Sequence, residues 1–151
     1  MTEKGESYIL MAFGKIEGQN ARISAGSIFG QLFDAGVWYT TRPSRVLAPG
    51  ARVLFYQNGA GFRGHAVIDA VVDDALETPL GGGLFVAFSQ RISLVQMHKF
   101  KTALDPRPLV GALEFISNKK YWGHAFRSTP RQISKKDFLM IIRSAAKSRE
   151  G

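Results

Sequence analysis

The chain of 151 residues contains no cysteine. That removes disulfides, thiolate metal sites and a cysteine nucleophile, and it fits a reducing compartment. No apolar run approaches the ~18 residues needed to cross a bilayer. The opening Met1-Thr-Glu-Lys-Gly-Glu6 carries charge in place of an apolar signal core. These absences predict a soluble cytoplasmic protein with no membrane association. Acidic residues are scarce in the second half. Residues 91–151 hold 4 Asp/Glu against 13 Lys/Arg, a net of +9, whereas residues 1–90 hold 8 against 7, a net of −1, together +8. A basic half points to a polyanionic partner, although a surface kept soluble by like charge has the same composition.

What is present is ordinary globular material, 45% hydrophobic and 21% charged. The length predicts one domain over 1–151, large enough to bury a core without staples. No internal repeat or low-complexity segment divides it.

Several catalytic and cofactor signatures are also missing. Gly59-Ala-Gly-Phe-Arg-Gly64 matches the letters of a dinucleotide fingerprint. That motif must open a helix, and the following His65-Ala-Val-Ile-Asp-Ala-Val-Val reads as a strand. A glycine-rich hairpin is the better reading. His65, His98 and His124 have no metal-ligand spacing among themselves or with carboxylates. No metal or cofactor is expected. There is no Gly-x-Ser-x-Gly elbow and no isolated carboxylate pair. Asp73, Asp74 and Glu77 read as a solvated turn. An enzyme is therefore the weaker expectation.

Apolar patterning predicts strands over Ser7–Phe13, Val37–Thr40, Arg52–Gln57 and Phe62–Asp73. Leu84–Ser89 and Ile92–Lys101 read as two strands or one bent strand. In Phe62–Asp73 the alternation places Phe62, Gly64, Ala66, Ile68, Ala70 and Val72 on one face. Arg63, His65 and Asp69 take the other. A helix is expected over Ala21–Ala35, with Ser24 or Ser27 as cap and Gly36 as stop. Thr41-Arg-Pro-Ser, Pro49-Gly50 and Gly81-Gly82-Gly83 read as turns, and Pro106 and Pro108 interrupt the chain. A final helix follows Ser134-Lys-Lys-Asp137, which has the form of a capping box with Asp for Glu. Phe138, Ile141, Ile142 and Ala145 make its buried stripe, opposite Lys136, Arg143 and Lys147. Five to six short strands and two helices predict an α+β fold, a closed or nearly closed mixed β-barrel flanked by helices.

The run from Phe115 to Phe138 interleaves Tyr121, Trp122 and Phe126 with Lys119, Lys120, Arg127 and Arg131. Cations among flat rings suit a ligand that is anionic and planar, as nucleotides are. Trp38 and Tyr39 fall at a strand-to-loop edge, where a ring can be half exposed. Tyr56 precedes Gln57 and Asn58, whose amides can read the edge of a base. Trp38 and Trp122 are candidate stacking residues, and each is equally readable as core packing.

Two stretches carry a family resemblance. Leu47-Ala-Pro-Gly-Ala-Arg-Val-Leu-Phe-Tyr-Gln-Asn-Gly59, followed by Phe62-Arg-Gly-His-Ala-Val-Ile68, is similar to the central hairpin of EVE domains. Phe115-Ile-Ser-Asn-Lys-Lys-Tyr-Trp-Gly-His-Ala-Phe-Arg127, continuing to Arg131-Gln-Ile-Ser and Asp137-Phe138, resembles their C-terminal segment. EVE domains belong to the PUA-like superfamily with the YTH and ASCH domains. The resemblance implies a small β-barrel flanked by helices, with a cleft for a nucleobase, sometimes a modified one, in RNA or DNA. It implies roles at that cleft for Tyr56, Gln57, Asn58, Trp122, Phe126, Arg127 and Arg131. The family's Trp-containing first strand and Ser-Glu-Pro-like turn are missing here, so the ligand stays open.

The resulting expectation is a nucleic-acid-binding module. Trp38, Tyr39, Tyr56, Gln57, Asn58, Trp122 and Phe126 would hold a base, and Lys119, Lys120, Arg127 and Arg131 would hold phosphates. The alternatives are an ASCH-like hydrolase of a modified nucleoside and a non-catalytic protein-interaction domain.

Overall fold

The computed structural model describes residues 7–17, 22–40, 44–79, 85–127 and 129–150. Strand β1, Tyr8–Phe13, is apolar throughout because both of its faces are covered. Ile9, Met11 and Phe13 enter one core cluster, and Tyr8 and Leu10 enter a second on the other side of the sheet. Two short strands, β2 at Ile16–Glu17 and β3 at Arg22–Ile23, pair with each other. Helix α1, Ala25–Asp34, therefore begins later than its periodicity suggests, since residues 22–23 are committed to that ladder. Ser24 caps it, its hydroxyl accepting from the Ser27 N–H at 3.2 Å. Ile28, Phe29, Leu32 and Phe33 bury one face of α1 in the first cluster.

Strand β4, Val37–Thr40, and strand β5, Arg52–Gln57, lie where the pattern predicts them. The turn expected at residues 41–43 and the one at 81–83 lie outside the described residues. Strand β6, Gly61–Pro79, pairs antiparallel with β7, Phe85–Leu104. The latter is one long strand rather than two. Asp73, Asp74 and Glu77 thus belong to β6, which corrects their reading as a turn.

The expected single inward face of β6 is also corrected. Phe62 packs in the second cluster, Ala66 and Ile68 in the first, and Val72 is 36% exposed while Val71 packs inward. Register shifts between Phe62 and Gly64 and between Ile68 and Ala70 are the cause. Each irregularity offsets the two-residue period and turns the following side chains to the other face. Glycines make the close β6–β7 approach possible. A Cβ on Gly61 (φ +126°) would lie 2.3 Å from the Leu104 carbonyl oxygen, and one on Gly64 would lie 2.5 Å from that of His98. The hairpin reading of these glycines holds.

A 3-10 turn at Arg107–Leu109 follows the prolines, a second 3-10 helix spans Trp122–Phe126, and strand β8 is Arg131–Ile133. Helix α2, Lys135–Glu150, buries Phe138, Ile141 and Ala145 in the second cluster and leaves Lys136, Arg143 and Lys147 exposed. Ser134 accepts from the Asp137 N–H at 3.0 Å, as a cap should. The reciprocal half of the capping box is replaced. The side chain of Asp137, fully buried, accepts from the backbone N–H groups of Glu114 and Phe115, both at 2.9 Å.

The sheet order is β4-β7-β6-β5-β1-β8. It is a mixed sheet curled into a half-barrel, with α1 packed on one face and α2 on the other. Among the described residues its edges, β4 and β8, are not joined to each other, so the barrel stays open. Among the described residues no helix is long and apolar enough to cross a membrane.

Candidate functional site

Strands β1 and β5 run parallel and finish together, Phe13 opposite Gln57. The Asn58 N–H donates to the Phe13 carbonyl at 2.8 Å, and there the ladder stops. Past these carboxyl ends opens a cleft of about 480 Å3. Ala12, Phe13 and Gly14 form one wall, and Asn58 comes from the β5–β6 turn. Gly123, Phe126 and Arg127 supply the opposite wall, from the Trp122–Phe126 helix and its end. Thr129 also lines the cleft, and its hydroxyl accepts from the Ala12 N–H at 3.1 Å, tying that wall to β1. Gly14 leaves room for Asn58. A Cβ there would stand 3.1 Å from the Asn58 Nδ2.

Asn58, Phe126 and Arg127 are therefore brought together, as the sequence suggests. Tyr56 lies behind them, its ring stacked on Phe126 at 4.0 Å and 21°. Burial, and then the nearby charge of Asp105, push the Tyr56 hydroxyl above its ordinary pKa, so it stays protonated. Trp122 is half buried with its ring edge-on to Phe126, 6.1 Å away. Phe115 meets Phe126 edge-on from another side at 5.5 Å. Gln57 is half buried and accepts from the Arg63 guanidinium.

Trp38 is not the half-exposed ring expected at a strand edge. It is 4% exposed, packed 4.7 Å from Phe55 and 5.1 Å from Phe13 in the α1-side cluster. Trp122 packs on the α2 side. The two tryptophans therefore do not face each other across one cleft. Their apolar surfaces are spent on opposite faces of the sheet. Trp38 stands one ring behind the cleft wall, through Phe13. Tyr39 is half buried against the same cluster.

The four expected phosphate cations divide. Arg127 is exposed and lines the cleft. Lys119 donates to the Leu113 carbonyl at 2.8 Å. Lys120 holds its ammonium 5.3 Å from the Tyr121 ring centroid. Arg131 sits 5.8 Å from the Phe115 ring centroid and donates a long bond, 3.4 Å, to the Ala125 carbonyl. Lys119 and Arg131 thereby brace the loop that carries Arg127, while Lys120 lies over the ring of its neighbour.

Gly14 and Thr129 go unread in the sequence as cleft residues, and Asp137 reads there as a helix cap alone. A glycine after a strand, a threonine before a proline and an acid in a capping position carry no letter-level signal of a shared site. His65 and His98 also pair, directly across β6 and β7, with rings stacked at 4.8 Å. Burial, then the charges of His98 and Arg52, push His65 down to about 4. Among the described residues no group of three or more His, Asp or Glu could hold a metal ion.

No protein-family model matches the chain. Among solved structures it resembles the YTH domain-containing protein mmi1 in complex with RNA. That match has a TM-score of 0.56 and 12% identity, over 97% of this chain and 87% of that one. It also resembles the YTH domain of Zygosaccharomyces rouxii MRB1 in complex with N6-methyladenosine RNA. Here the TM-score is 0.52 and the identity 18%, over 93% and 86% of the two chains. The chain thus shares its fold with these two YTH domain structures. Among curated proteins the chain is 22% identical over 111 residues to the UPF0310 protein in the gntR 5'region of Bacillus licheniformis. That alignment spans 70% of this chain and 73% of the relative.

Proposed function

We propose that this protein is an EVE-type nucleic-acid-binding module that takes a single nucleobase, plain or modified, into the cleft beyond β1 and β5. The observation that carries the reading is the convergence of Asn58, Phe126 and Arg127 on that cleft. A base needs an apolar surface, a polar group at its edge and a cation for its phosphate; the β5–β6 turn supplies Asn58, and the Trp122–Phe126 helix and its end supply Phe126 and Arg127. The basic second half, net +9, attracts the backbone around it. Support comes also from the shared fold, since two YTH domains with this architecture were solved with RNA, one of it bearing N6-methyladenosine.

The test is titration of labelled single-stranded RNA and DNA, with and without methylated bases, at two salt concentrations. Binding should be salt-sensitive. Arg127→Ala should weaken it on every sequence and reduce the salt slope by about one. Asn58→Ala should lessen discrimination among bases. Salt-insensitive or absent binding would sink the proposal.

A further inference from the structure

We propose that Tyr121 and His124 form a second stacking station, outside the cleft, for the nucleotide flanking the one inside. The inference rests on the base-in-cleft reading and names the ligand class more narrowly, as a single strand of at least two nucleotides.

Among the described residues the large aromatic rings are buried or half-buried, yet Tyr121 is 53% exposed. Its ring stacks on that of His124, also exposed, at 5.8 Å and 16°. Lys120 places its ammonium over the same ring, 5.3 Å from the centroid, on a flexible exposed stem that an incoming base can displace. The short helix Trp122–Phe126 joins this ledge to the cleft. Its Gly123 and Phe126 line the cleft, and Arg127 follows directly. One turn of chain therefore carries a ring inward, a ring pair outward and a cation near each.

The ledge is held in place. The Asn118 side chain accepts from the N–H groups of Lys120 and Tyr121, both at 3.1 Å. Lys119 is tied to the Leu113 carbonyl, and Asp137 secures residues 114 and 115. An exposed ring on a braced loop loses little conformational freedom when a second ring stacks on it. From residue 115 to residue 136 the sequence contains no Asp or Glu, so no carboxylate of this segment repels a phosphate. A base in a duplex keeps its faces covered by its neighbours, and an extruded or unpaired one does not. Two adjacent receiving surfaces, one enclosed and one open, therefore fit a single strand.

The experiment compares wild type and Tyr121→Ala with two kinds of probe: the nucleoside 5′-monophosphates, and mixed-sequence single-stranded nonamers of RNA and DNA. Wild type should bind the better nonamer about tenfold or more above its best mononucleotide. Tyr121→Ala should lose about tenfold on the nonamer and change mononucleotide affinity by less than about twofold, while Tyr121→Phe retains the nonamer gain. If neither probe binds wild type, the cleft reading fails, and this inference with it. If the nonamer binds and Tyr121→Ala matches wild type, the ledge alone is refuted. Equal losses on both probes would place Tyr121 at the cleft itself and overturn the flanking station.

Discussion

The two faces of the sheet are built from similar side chains and closed in different ways. On the α1 side, Phe13, Phe29, Phe33, Trp38 and Phe55 pack ring against ring beneath a capped helix. On the α2 side, Tyr56, Phe62, Phe115 and Phe126 form a comparable nest, but much of its cover is loop. That loop stays in place through Asp137, Lys119, Asn118 and Arg131, by hydrogen bonds and cation–ring contacts. A helical lid satisfies its own backbone and can close tightly. A loop lid must borrow partners, and where it ends it leaves exposed polar groups beside apolar walls. The cleft lies at that junction.

The contrast yields graded expectations. Phe33→Ala should be the most costly, about 3–5 kcal/mol in urea unfolding, because it opens a cavity among Phe29 and Phe55. The folded fraction should still bind ligand with unchanged affinity. A parallel loss of affinity would mean that the two faces are not independent. Asp137→Ala should cost somewhat less, about 2–4 kcal/mol, by orphaning the N–H groups of Glu114 and Phe115. It should also abolish ligand binding under conditions where the protein remains folded, since the loop loses its latch. Retained binding would show that the lid is positioned by its cations alone.

The smallest expected effect is a dependence on pH. His65 is pushed down from 6.5 to about 4 in the folded state, so the unfolded chain takes up a proton that the folded one refuses. Its contribution is present above pH 6.5 and is lost as pH falls toward 4. With solvent screening at this half-buried site the loss is about 1–2 kcal/mol. His65→Gln should flatten that part of the stability profile, and an unchanged profile would assign the acid sensitivity to other groups.

Much of this architecture is legible in the letters. β4 and β5 follow their apolar runs to the residue, because each is short and bounded by turn formers. The stripe of α2 is equally plain. The face assignment of β6 fails after Phe62, because a bulge is set by its partner strands and leaves no mark in the alternation. Asn58, Phe126 and Arg127 could be named in advance from their neighbours. Trp38 could not be placed, since a tryptophan at a strand end reads the same whether it covers a ligand or fills a core. Asp137 was legible as a helix cap, but its reach to residues 114 and 115 depends on tertiary packing alone.

The position of β1 between β5 and β8 has a consequence in time. The cleft draws on residues 12–14, then on Asn58, and then on Gly123, Phe126, Arg127 and Thr129 much later in the sequence. During synthesis β1 emerges more than a hundred residues before Gly123, Phe126 and Arg127, and must wait for them before the pocket is complete. A nascent or truncated chain ending before residue 123 carries one wall of the cleft and none of the other. Completion of the cleft is therefore an event that synthesis reaches late and all at once.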